Sequence, residues 1–181
     1  MTTLFKWDEL EILRKEAVDF FSKKQRRDDI DRFCDYMEFV FCLVYAYGWQ
    51  EAEKIIGIVP FRDGLDDTTV NLKIDGKTFR ERIGEDTTPD EALRIIETES
   101  HRDYNAGVFD AAVESGKPNI RKLWNTMMDG RVRETHDYLE GMTVGLEDRF
   151  YTFDGDSARY PGDFMLPQNN VNCRCIVTLQ A

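Results

Sequence analysis

The chain has 181 residues, of which 41% are hydrophobic and 33% charged, and its formal net charge is −11. That length buries a sizeable core in one domain, or one and a half, without help from disulfides or metals. The acidity excludes a general grip on phosphate backbones by counterion release, and 4 cysteines are too sparse for a disulfide framework.

The opening MTTLFKWDELEILRKEAVDFF sets no basic stretch before an apolar one, so no secretory signal is expected and the thiols are expected to stay reduced. Residues 7–24 read as an amphipathic helix, with Leu10, Leu13, Ala17, Phe20 and Phe21 at three-and-four spacing. KKQRR at 23–27 runs straight into DDID and reads as a solvated helix end. Residues 29–47 repeat the helical pattern with Ile30, Phe33, Met37, Val40, Phe41 and Val44. Cys34 and Cys42 fall on or near that face and read as packed thiols. FVFCLVYAYGW at 39–49 is too short to cross a bilayer, so no membrane association is expected. A short helix, WQEAEKII, follows and stops at Gly57, ahead of a break over 58–67.

TTVNLKI at 68–74 fits strand or helix. GKTF at 76–79 resembles the end of a phosphate loop, but Asn71 stands where that motif needs glycine, so a turn and a helix start are expected. Thr88-Pro89-Asp90-Glu91 is a capping box with proline at the first helical position. The helix it opens should run over 89–115 and end near Gly116. Ala92, Ile95, Ile96, Ala106, Phe109 and Val113 form its apolar face. The same spacing places Glu99, Arg102 and Asp103 on that face, which predicts a buried polar cluster, because a charge facing a core must be paired.

LWNTMM at 123–128, MTVGL at 142–146, RFYTF at 149–153 and CRCIVTL at 173–179 read as strands. Asp129-Gly130 is expected to cap a short helix, RVRETHDYLEG, in which Val132, His136 and Leu139 share a face. The predicted class is α+β: a helical N-terminal half, then a long helix and a small, mostly antiparallel sheet.

Several chemistries compete for the residues of the second half. Cys173 and Cys175, one residue apart, point to one side of an extended segment, and packed thiols are the favoured reading. With His136 they would supply three zinc ligands, and Asp129 or water a fourth, although one-residue cysteine spacing is unusual for structural zinc. A thiolate nucleophile beside His136, supported by Arg131, Arg133 and Arg174, is a further alternative. Acid–base chemistry on phosphate esters through Glu99, Arg102, Arg133 and His136 is another. A disulfide between Cys173 and Cys175 would be strained.

The ordered blocks ETESHRDYN at 97–105, KLWNTMMDGRVRETHDYLEG at 122–141, RFYTF, YPGD at 160–163 and NCRC at 172–175 resemble the C-terminal domain of bacteriophage Mu protein F-like minor head proteins, the phage head morphogenesis family. The blocks span about residues 90–179. Thr98, Glu99, Trp124, Asp129, Arg131, Val132, Arg133, His136, Leu139, Gly141, Pro161, Gly162, Asn172, Cys173, Arg174 and Cys175 carry the match, with aromatic Phe150 between them. The resemblance implies a minor head structural protein without turnover, placed in the virion and, during assembly, in the host cytoplasm. It implies action at the portal vertex and an influence on DNA packaging or ejection. The portal protein, the major coat protein or both would be its partners, and no cofactor is implied. DNA contact stays open, though the net charge does not indicate it. Some such proteins carry toxin domains, and no tail for one is expected here. Residues 1–86 would be a helical docking region and 87–181 the head morphogenesis domain. In this reading Asn172 and Arg174 complete one polar cluster with Glu99, Arg102, Asp129, Arg131, Arg133 and His136. Trp124, Leu139, Gly141, Phe150 and Pro161 join the two thiols in core and turn positions.

Overall fold

The computed structural model describes residues 8–61 and 73–181. Most of the stretch left open between strand and helix, 68–72, lies outside the described residues. Helix α1 (Asp8–Phe21) lays Leu13, Ala17, Phe20 and Phe21 inward, as the spacing predicts. KKQRR lies mostly in the turn that joins it to α2 (Arg27–Ile56).

α2 is one helix of 30 residues, where the sequence suggested two. Gly48 does not interrupt it, because its missing side chain is used for packing. A Cβ there would fall inside the carbonyl oxygen of Tyr104, and one at Gly107 would fall inside the carbonyl oxygen of Tyr45. The two glycines therefore let α2 and the long helix α4 (Pro89–Glu114) cross backbone to backbone. Gly57, at φ 79°, ends α2 by returning its N–H to the Glu53 carbonyl.

The short helix α3 (Phe79–Arg82) opens on a Thr78–Glu81 capping box, and α4 opens on the predicted Thr88–Glu91 box with Pro89 in its first turn. The core formed by α1, α2 and α4 continues into Ile176, Val177 and Leu179 of the last strand.

Strand β1 (Arg121–Asn125) lies at the centre of an antiparallel sheet. Its neighbours are β2 (Thr143–Gly145) and β5 (Ile176–Gln180). Trp124 faces Val177 across β1 and β5. A second ladder pairs β3 (Phe150–Tyr151) with β4 (Ser157–Ala158), and β4 lies outside the strands that the sequence predicts. Helix and small antiparallel sheet together make the α+β class expected.

Two local readings are corrected. The helix expected from 131 is a single turn, α5 (Glu134–Asp137), entered through an extended Arg133 at φ −75° and ψ 150°. The carboxylate of Asp129 serves Arg174 and the Arg131 N–H instead of a helix start. The last strand begins at Ile176, and Cys173-Arg174-Cys175 precedes it. Asn172 holds φ 58°, a left-handed conformation that asparagine tolerates and a continuous strand cannot contain. The last helical turn, α6 (Pro167–Asn170), lies just ahead of it.

Candidate functional site

A small second core surrounds the cysteines: Trp124, Leu139, Phe150, Ala158, Phe164, Cys173 and Cys175. Gly141, at φ 72°, closes the turn after α5 and donates its N–H to the Trp124 carbonyl, while Trp124 donates to the Met142 carbonyl. This locks the α5 turn onto β1 and delivers His136 into the second core. The imidazole stacks on Phe164 at 5.1 Å and meets Trp124 edge-on at 5.6 Å.

His136 Nδ1 lies 3.6 Å from Cys173 Sγ and 3.5 Å from Cys175 Sγ. All three residues are buried. The hydrogen bond from the Cys175 thiol draws Cys173 well below the ordinary thiol range, against the opposing effect of burial, and His136 adds to the lowering. Cys175 moves the opposite way, because it donates to Cys173 and is itself buried. The adjoining cavity is about 10 Å³ and is lined by Arg131, Arg133, Asn172 and Arg174 among others. A cavity of that size is of the order of one water molecule and admits no nucleotide.

The expected single polar cluster divides into separate groups. Glu99, fully buried, pairs with Arg82 from α3 and with Arg102 one turn along α4. Asp103 lies 3.9 Å from the Arg102 guanidinium, and burial pushes its carboxyl up to about 7. Burial likewise draws Arg82 down to about 10. The Pro161-Gly162 turn lies over this group, and a Cβ on Gly162 would stand 2.9 Å from the Arg102 side chain.

Asp129 and Arg174 form a second group, a bidentate pair at 2.6 and 2.8 Å with Arg131 at 3.5 Å. Hydrogen bonds from Arg174 hold the Asp129 carboxyl well below its usual range. Arg133 forms a third, donating to the Gln168 and Val171 carbonyls. Asn172 contributes its backbone N–H to Thr98 Oγ1 at 3.2 Å. Among the described residues no hydrogen bond or ion pair joins Glu99 or Arg102 to Arg133 or His136, so the four residues of the phosphate-ester reading are not gathered.

Three residues outside the predicted set hold the site. The side-chain amide of Asn105 donates to the Cys175 carbonyl at 3.1 Å and accepts from the Val177 N–H at 2.8 Å. Asp156 accepts from the Met165 and Leu166 N–H groups and from the Asn169 amide, and Asn170 closes a two-way bond with the Phe164 backbone. An asparagine on an apolar helix face and a run of polar residues before the cysteines were the available signals.

Residues 69–178 match the family described as phage Mu protein F like protein. The chain belongs to this family. The Mu F-like match takes in the buried ionic group, His136 and both cysteines. A stretch of 127 residues, 64% of the chain, is 35% identical to the NAD(+)–arginine ADP-ribosyltransferase EFV of Enterococcus faecalis (strain ATCC 700802 / V583) and covers 26% of that protein. A stretch of 79 residues, 43% of the chain, is 32% identical to the minor head protein GP7 of Bacillus phage SPP1 and also covers 26% of it. The chain thus spans about a quarter of the length of each of these relatives. No solved structure matches it.

Proposed function

We propose that the chain is a minor head component of a phage or prophage particle, acting in head morphogenesis at the portal vertex. The observation that carries this reading is the family match over 69–178, together with the similarity to SPP1 minor head protein GP7. Its place is the virion and, during assembly, the host cytoplasm. Its partners are the portal protein, the major coat protein or both, and an influence on DNA packaging or ejection belongs to the same reading. No helix of the described residues is long and apolar enough to cross a membrane.

The helices before residue 87 are the docking region in this proposal. α2 carries Tyr36, Phe39, Leu43 and Tyr47 on its outer face at three-and-four spacing, with Phe39 62% and Leu43 54% exposed. A stripe of large apolar groups on an acidic protein suits burial against another protein. The role is structural, without turnover. The ADP-ribosyltransferase name belongs to a relative that shares 26% of its length with this chain, and the separation of Glu99 and Arg102 from His136 supports a fixing role for both groups.

The test is co-expression with the neighbouring portal and coat proteins, followed by sedimentation of assembled heads. Cosedimentation in a few copies per particle is the expected outcome. A chain left wholly in the soluble fraction, or ADP-ribosylation of arginine by the purified chain, would overturn the reading.

A further inference from the structure

We propose that His136, Cys173 and Cys175 bind one zinc ion, which staples the α5 turn to the segment leading into β5. The geometry argues this first. A neutral imidazole presents one lone pair at Nδ1, yet two sulfurs converge on that single atom, at 3.6 and 3.5 Å. A hydrogen bond to that lone pair accounts for one of the two approaches at most. A tetrahedral zinc with Zn–S of about 2.3 Å and Zn–N of about 2.0–2.1 Å sets its sulfur and nitrogen ligands roughly 3.5–3.6 Å apart. The observed spacings are those of two edges of such a tetrahedron. All three donor atoms lie within 4.8 Å of one another.

The surroundings fit the same ion. Two thiolates and a divalent cation sum to zero charge, which a buried site requires. Thiolate and imidazole are the ligands zinc prefers. The imidazole is held by Phe164 and Trp124 with Nδ1 toward the sulfurs. The adjoining cavity of about 10 Å³ suits one water as the fourth ligand. Asp129, the other ligand weighed from sequence, is engaged in its bidentate pair with Arg174. The ligands join positions 136, 173 and 175, so the ion closes a long loop that carries no disulfide.

The experiment uses the full chain without a histidine tag, purified under reducing conditions and passed through metal-free buffer. Elemental analysis is expected to give about one zinc per chain. A strong chelator should lower the melting temperature by about 10 °C, and added Zn²⁺ should restore it. Co²⁺ added to the stripped protein should give a thiolate-to-cobalt absorption band. Cys173→Ser and Cys175→Ser should each lose the metal, while Cys34→Ser keeps it. A wild-type chain that carries no zinc and shows no cobalt–thiolate band would overturn the proposal. So would metal retained in both cysteine variants. If those variants do not fold, the cobalt titration of the wild-type chain still decides.

Discussion

At the scale of single residues, the long helix carries its polar groups where the sequence pattern predicts apolar ones. Asn105 is the most consequential. Replacing it with alanine leaves the Val177 N–H and the Cys175 carbonyl without their side-chain partner. Orphaning two buried backbone groups should cost on the order of 2–4 kcal/mol, read as a lowered urea midpoint with an unchanged slope. Asp103 and His101 give stability a pH signature. Burial lifts the Asp103 carboxyl from 3.8 to about 7 in the folded chain. Its contribution is therefore complete below its unfolded pKa and is lost as pH rises through about 7. Burial lowers His101 from 6.5 to about 3, so its contribution is present above 6.5 and is lost as pH falls toward 3. The two slopes oppose each other over roughly pH 4–6.5. Asp103→Asn should uncover the His101 slope, so that stability rises with pH across that interval. Thermal melts at half-unit steps check this, and a profile identical to that of the native chain would refute it.

At the scale of elements, Gly107→Ala separates local preference from packing. Alanine favours a helix by about 1 kcal/mol over glycine. Here its Cβ would overlap the Tyr45 carbonyl, and α2 and α4 would have to part. The expected result is a net loss of about 1–3 kcal/mol, measured by denaturant unfolding. A gain in stability would mean that the crossing is looser than described. The same glycines explain what the sequence could and could not reveal. The start of α4 was legible because Thr88, Pro89 and Glu91 carry their instructions within four positions. The continuity of α2 was not, because the meaning of Gly48 depends on a carbonyl 56 positions away, at Tyr104. The buried ionic group was visible as a break in apolar spacing at Glu99, Arg102 and Asp103, whereas its partner Arg82 lies on another helix and left no such mark. His136, Cys173 and Cys175 were legible as a candidate ligand set from residue type, but no local pattern brings a histidine to cysteines 37 and 39 positions further on. The left-handed turn at Asn172, just before the two cysteines, left no mark in the period-two spacing either.

At the scale of the whole molecule, the outer face of α2 should separate assembly from folding. Phe39→Glu and Leu43→Glu alter half-exposed groups outside the core, so the melting temperature should move little. Incorporation into heads should fall sharply, as read by sedimentation of particles. Normal incorporation of the double variant would remove α2 as the docking face. The Asn105 amide also limits how a partner can attach. β5 is an outermost strand of the sheet, and an unguarded strand of that kind invites an incoming segment to extend the ladder. Asn105 already offers the donor and the acceptor that such a segment would bring, to Cys175 and Val177. A binding peptide would have to evict a buried side chain before making its first main-chain bond there. β-strand addition at the start of β5 is therefore blocked, and the proposed capsid contacts are expected through side-chain surfaces or elsewhere on the sheet.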